Sequence, residues 1–335
     1  MVNWLTNFIT KVGDIMGFSL NKAVKPQTTE LNRKAIIFSS DFSPKKRLYV
    51  EGEKARFSKK DLMVMLKSIS KIYKVPFSMI KTVELIKADR PGITKRLTQE
   101  TFNDFEKLLE SLGVEDYGFF EVTPERLFKG CGIPHKYALV FSTGMDIEAF
   151  KEAPSMECQL EVAKIYSKTG DIANEVATCL QSKGFGASPN HSMGGQLDYS
   201  MAAEWAGIAV TGRHSMAITK KNGPCHRISV VYTDIENLND YISRKNSDML
   251  WINDFCEKCR KCQRMCPTGA ILKEPVILDG TNPTRIDYDK CCEGFVNYGC
   301  GICIKECPFA NGNYERLEQS FQRINQKNRR KSNGD

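Results

Sequence analysis

Nine of the chain's thirteen cysteines fall between Cys256 and Cys307. The first run reads Cys256-Glu-Lys-Cys259-Arg-Lys-Cys262-Gln-Arg-Met-Cys266-Pro267, and a second closes as Cys300-Gly-Ile-Cys303-Ile-Lys-Glu-Cys307-Pro308. Two Cys-Pro runs of this spacing are the ligand pattern of a pair of [4Fe–4S] clusters, the fourth cysteine of each run serving the other cluster. Two intervening residues let successive thiolates grip neighbouring corners of one cube. The longer gap and the proline turn the chain towards the second cube. The spacing gives Cys256, Cys259, Cys262 and Cys307 to one cluster. It gives Cys266, Cys300, Cys303 and one of Cys291 or Cys292 to the other, with Cys291 preferred because it follows Tyr288-Asp289-Lys290.

Zinc knuckles use paired Cys-x2-Cys units set well apart, unlike four cysteines packed into one short run. A disulfide framework needs an oxidising compartment, and no secretory leader pattern is visible. The expected chemistry is therefore electron transfer, and the elements around these runs must supply its destination. The lone-standing thiols differ from them: Cys179 reads as core and Cys131, between two glycines, as a small loop residue, while Cys158 and Cys225 have no ligand spacing.

With 335 residues the chain far exceeds a lone dicluster module, leaving room for at least one further domain. Net charge is +8, much of it in Arg323, Lys327, Arg329, Arg330 and Lys331, which read as a solvated basic end. Lys258, Arg260, Lys261 and Arg264 bracket the first cysteine run, where they are either solvated or a landing surface for an acidic electron donor. No run of about eighteen apolar residues exists to span a bilayer. Trp4, Leu5, Phe8, Ile9, Val12, Ile15 and Met16 share one helical face, with little basic charge opposite, so the segment reads as packing on its own protein. The expected location is the cytoplasm.

Periodicity predicts helices over about 60–74, 101–112 and 171–183, the last two with inward Phe102, Phe105 and Leu109, and Ile172, Val176 and Leu180. Strands are expected at 117–122, 137–142, 215–219 and 228–233, with Asn222-Gly223-Pro224 as a hairpin bend. The organisation is α+β: a helical extension over 1–95, a mixed domain over 96–247, the dicluster module over 248–318 and a basic tail over 319–335.

One central segment carries more than packing. Ala206-Gly207-Ile208, Gly212-Arg213, Ile218-Thr219, Gly223-Pro224, Arg227 and Thr233-Asp234, taken with the downstream cysteines, resemble the corrinoid-dependent reductases. The similarity runs from about 108 to 317 and is nearest to the reductive dehalogenases. Epoxyqueuosine reductases, which complete a modified tRNA base, share the framework. The resemblance implies a nitroreductase-like α/β sandwich binding cobalamin, followed by a ferredoxin-like module that delivers electrons to cobalt. It places Gly207, Gly212, Arg213, Ile218 and Thr219 with the cofactor.

The resemblance also implies base-off cobalamin without a histidine ligand. The partial match His191-Ser-Met-Gly194 has Pro189 where that ligand motif needs aspartate, and His135, His214 and His226 read as ordinary hydrogen-bonding residues. Tyr166, in a Tyr-Ser pair ahead of the expected helix at 171, corresponds to the proton donor. Arg227 is the cation that would stabilise its phenolate, and Asn190 lines the same pocket. The substrate would be a small organohalide and the donor a reduced ferredoxin or flavodoxin. Met193 occupies the position of the aspartate used by epoxyqueuosine reductases, and their C-terminal helical repeats have no counterpart, which disfavours tRNA. A non-enzymatic dicluster carrier is the third reading.

Overall fold

The computed structural model describes residues 20–45, 74–243, 245–278, 283–311 and 313–332. The apolar face expected over residues 4–16 and the helix expected over 60–74 lie outside them, Lys74 apart. In chain order the first half contains α1 (Leu20–Lys34), β1 (Ile37–Phe38), α2 (Lys74–Ala88), α3 (Gln99–Ser111), β2 (Asp116–Glu121), β3 (Gly132–Ile133), β4 (Tyr137–Gly144), α4 (Glu148–Lys151) and α5 (Met156–Ser182). Next come β5 (Ala187–Asn190), α6 (Tyr199–Trp205), β6 (Val210–Thr211), β7 (Ala217–Ile218) and β8 (His226–Thr233). The cysteine-rich half is built from α7 (Trp251–Cys259), α8 (Lys261–Met265), β9 (Ile271–Val276), β10 (Thr284–Ile286), α9 (Tyr288–Tyr298), α10 (Ile302–Lys305) and α11 (Tyr314–Ser332).

Strict alternation in β4 and β8 creates two cores. The four-stranded sheet has the order β2-β4-β8-β5 with every pair antiparallel. Ala138 and Val140 point to one face with Val230 and Tyr232, where α6 contributes Ala202, Ala203 and Ala206. Leu139, Phe141 and Val231 point to the other, against Phe102, Phe105 and Leu109 of α3 and Ile172, Val176 and Leu180 of α5. The result is a mixed α/β unit with helices on both faces of the sheet.

The helix expected to begin at Asp171 begins fifteen residues earlier, at Met156. Ser155 caps it, its Oγ accepting the Cys158 N–H at 3.2 Å. Gly170 explains the misreading, because Thr169-Gly170-Asp171 looks like a loop and a cap. The glycine is needed inside the helix: a Cβ there would collide with the His191 ring. Tyr166 consequently sits within α5 and not ahead of it. At 27 residues the helix is roughly 40 Å long. Its C-terminal half seals the sheet, and its N-terminal half carries Cys158, Val162 and Ile165 into a third core shared with the cysteine-rich module.

The expected hairpin bend at 222–224 is also corrected. β7 pairs with β6, and the turn between them is Gly212–Ser215, with Ser215 at φ +64°. Asn222-Gly223-Pro224 closes a separate tight loop, held by the Thr219–Gly223 bridge, that leads into β8 of the main sheet. The described parts of the 1–95 segment pack on the sheet domain, with α1 against α2 and α2 against α5 and β5. Asp89, just after α2, takes hydrogen bonds from Ser188 Oγ (2.6 Å) and Ala187 N–H (2.9 Å) and lies 2.6 Å from His135 Nε2. That buried hub fixes β5. The basic end is helical through Ser332 in α11, and Tyr314 and Phe321 join Trp251, Phe255 and Phe309 in an aromatic cluster.

Candidate iron–sulfur and reaction site

Local chain geometry brings the cysteines together in two sets of four. α7 and α8 present Cys256, Cys259 and Cys262, and the turn after α10 adds Cys307 from the far end of the module. The electrostatic neighbours of Cys307 are Cys256, Cys262 and Cys259. With Arg213 and His214 these four line one hollow. Cys303 has Cys291, Cys300 and Cys266 among its neighbours, and Cys291 has Cys300 and Cys266. Cys292, next to Cys291 in α9, is buried.

Burial pushes the Cys256, Cys262 and Cys291 thiols up to about 11, and neighbouring thiols add to the rise. Burial raises Cys307 and Cys303 further. Such thiols hold their protons at neutral pH, so a metal centre must displace them. Cys266 departs from the rest. Burial alone would raise it, but N–H groups of Ile271, Ala270 and Thr268 and the Thr268 hydroxyl bring it below the usual thiol value. Among the described residues no three His, Cys, Asp or Glu side chains converge on a single metal ion. Eight thiols in two sets fit two multi-iron cubes by number, arrangement and ligand chemistry.

The second feature joins α5 to β8. The Arg227 guanidinium carbon lies 5.4 Å from the centre of the Tyr166 ring, and both side chains are half-buried. Thr169, one turn on, shares a hydrogen bond with Ser192 Oγ at 2.8 Å, and that hydroxyl donates to the Ile228 carbonyl at 2.7 Å. Asn190 is one step removed. Its side chain accepts from Tyr232 Oη at 3.0 Å and Gln196 N–H at 3.1 Å, while its carbonyl accepts from Tyr199 Oη at 2.9 Å. Tyr199 is in turn an electrostatic neighbour of Tyr166.

Three atoms here lack a protein partner: Asn190 Nδ2, His191 Nε2 and Arg227 Nε. Burial lowers the His191 pKa to about 4, so the ring is neutral, and its Nδ1 accepts from Met193 N–H, leaving the proton on the orphaned Nε2. Three unpartnered donors suit a polar ligand.

Sequence reasoning passed over Cys158 and Cys225. Both are buried, burial pushes each to about 12, and both feel the Arg227 charge. Cys158 also has Cys300 as an electrostatic neighbour, and a Cβ on Gly301 would meet its sulfur. Cys158 thus has both Cys300 and Arg227 among its electrostatic neighbours. Only its place on the apolar stripe of a longer α5 could have signalled this.

The expected cofactor residues divide. Gly207 is the left-handed residue that ends α6, at φ +74°. Ile218 and Thr219 are buried in the β6–β7 unit, and a Cβ at Gly212 would strike Ile218. Arg213 turns to the first cysteine set and not to Tyr166. His135 and His226 are hydrogen-bonded as expected, His226 to Ser142 Oγ at 3.1 Å and to the Ala217 carbonyl at 2.9 Å. The basic residues beside the first run are engaged within their module: Lys258 to Asn325, Arg260 to Glu257 and Glu274, Lys261 to Glu306, and Arg264 to the Cys259 carbonyl.

A family model for a 4Fe-4S binding domain matches residues 249–272. Tetrachloroethene reductive dehalogenases of Desulfitobacterium hafniense and Dehalobacter restrictus are 30% and 31% identical over 220 residues, covering 62% of this chain and 38% of theirs. The chain therefore spans well under half the length of those relatives. Bacillus subtilis epoxyqueuosine reductase is 25% identical over 279 residues, 72% of this chain and 65% of its own. A solved reductive dehalogenase, described with a mechanism for B12-dependent dehalogenation, matches 73% of this chain and 39% of its own with a TM-score of 0.58 at 20% identity. A catabolic reductive dehalogenase gives 0.55 over 70% of this chain and 37% of its own, also at 20% identity. By sequence the chain is a homologue of the reductive dehalogenases and the epoxyqueuosine reductases, and it shares the fold of solved reductive dehalogenases.

Proposed function

We propose that the chain is a cobalamin- and [4Fe–4S]-dependent reductase that removes halide from a small organohalide. The observation that carries this reading is the Tyr166–Arg227 pair, which shares the Cys158 thiol with the second cysteine set. Cobalamin, when bound, supplies the reducing metal that breaks the carbon–halogen bond. The overall change takes two electrons and one proton and releases a halide anion in exchange for a new C–H bond. Tyr166 Oη gives the proton, and the Arg227 cation over its ring stabilises the phenolate left behind. Asn190 Nδ2, His191 Nε2 and Arg227 Nε are the free donors that would hold polar edges of cofactor or substrate. Gly207, Gly212, Ile218 and Thr219 would act by shape, and no histidine is offered as a lower cobalt ligand. The electron donor is a reduced ferredoxin or flavodoxin docking near Lys258 and Arg264. Thirteen free cysteines suit a reducing compartment, the cytoplasm. No helix among the described residues is long and apolar enough to cross a membrane.

The test is anaerobic reconstitution with iron, sulfide and cobalamin, followed by halide release from brominated and chlorinated phenols with a reduced donor. Corrin uptake with halide release is expected, and protein that takes up no corrin would end the proposal. The matched epoxyqueuosine reductases sustain a second reading, reduction of a tRNA base. It requires tRNA binding that weakens steeply with salt. Salt-insensitive or absent binding dismisses it.

A further inference from the structure

The β6–β7 turn places a buried cation against the first cysteine set. Gly212 N–H bonds to the Met216 carbonyl and Ser215 N–H to the Gly212 carbonyl, both at 2.9 Å, so the turn is tightly closed. Arg213 at its tip is 4% exposed. Its backbone N–H points to the Cys256 sulfur, and its charge also acts on Cys262. Nη1 donates to Glu257 Oε1 at 2.5 Å. Nη2 is 3.7 Å from Glu274 Oε1, an ion-pair distance longer than a hydrogen bond. Nε and Nη2 have no hydrogen-bond partner. His214, lining the same hollow, also has an unpartnered Nε2.

A buried guanidinium with two idle donors is costly unless acceptors arrive. A thiolate-ligated cube offers them as sulfide and cysteine sulfur, and it carries net negative charge. The two carboxylates cancel the cation incompletely, because Glu257 and Glu274 are 51% and 67% exposed and screened by water. We propose that Arg213 raises the reduction potential of the first cluster. Reduction adds negative charge, and a fixed cation with sulfur-directed donors favours the more negative state. The first cluster then accepts an electron more readily than it would without the guanidinium. The inference rests on the two-cluster reading of the cysteines and is independent of cobalamin and of substrate.

The protein reconstituted anaerobically with iron and sulfide would be titrated while both reduced clusters are followed by EPR. About eight irons per chain is the prior check on the two-cluster reading. A count near four would fail that reading, and the Arg213 shift would then be read on whichever cluster forms. Arg213→Gln should lower the first midpoint and leave the second in place, with Arg213→Lys between it and the parent. Glu257→Gln, which frees the guanidinium from its counter-charge, should raise the first midpoint. Unchanged midpoints in Arg213→Gln at full iron content would overturn the proposal. If Arg213→Gln fails to hold iron, Glu257→Gln decides: an upward shift supports the inference, and no shift overturns it.

Discussion

The two cysteine sets share one ligand grammar and differ in their surroundings. The first lies beside the β6–β7 turn, with basic side chains and the Glu257–Arg260–Glu274 ion pairs at its edge. The second is packed against the start of α5, with Cys158 beside it. A shared ligand type therefore does not mean shared surroundings. The first, outer set has charged side chains at its edge, and the second, inner set has Cys158 beside it.

The contrast breaks most sharply at α9. Cys291→Ala should abolish the inner cluster and remove about half of the bound iron, whereas Cys292→Ala should keep the full complement. Iron and sulfide counts check this, and equal losses would mean that the two sets are not separate. One step smaller, Tyr166→Phe should reduce halide release roughly 10²–10⁴-fold, the usual scale for losing a proton donor. Both cluster midpoints should stay where they are. A midpoint that moves with Tyr166 would make the residue part of the electron path instead of the chemistry.

Legibility followed the range of the contacts involved. The expected ligands stood out because Cys256, Cys259 and Cys262, and likewise Cys300 and Cys303, are separated by two residues each. Alternation in β4 and β8 likewise exposed the sheet. Cys158 was not legible, because its significance depends on Gly301, more than a hundred residues away, and on a helix whose start was hidden by Gly170. α2 lay outside any expectation, since its buried Val75, Met79 and Ile86 are diluted by Lys and Glu and by Pro76. Arg213 was legible as special, but its partner was not: glycines on either side of a hairpin say that something approaches, not what.

A finer probe acts on the inner set alone. Gly301→Ala places a methyl against Cys158 Sγ and the Phe150 ring, both buried. Overpacking of this kind costs up to about 3 kcal/mol. The variant should show a lower unfolding midpoint and slower retention of the inner cluster under a chelator, with the outer cluster unaffected. Equal loss of both clusters would place Cys158 in the general core and not at a boundary between cluster and reaction site.

The mildest effect separates the sheet domain from both clusters by pH. Burial holds His226 at about 4, against 6.5 for a free imidazole, and the ring is faced by Ser142 Oγ and the Ala217 carbonyl, with Arg227 and Glu115 the nearest charges. The unfolded chain takes up a proton near pH 6.5 while the folded one declines it until about pH 4. The contribution of His226 is therefore complete above 6.5 and is lost as pH falls towards 4. One pH unit is worth about 1.4 kcal/mol, so a single such histidine removes about 2 kcal/mol by pH 5. His191 has the same depressed value and adds to the slope. Urea midpoints followed by near-UV circular dichroism should fall between pH 7 and 5, and His226→Gln should start lower but fall less steeply. If the variant keeps the parental slope, the acid sensitivity belongs to groups other than His226, with His191 and His214 the next to test.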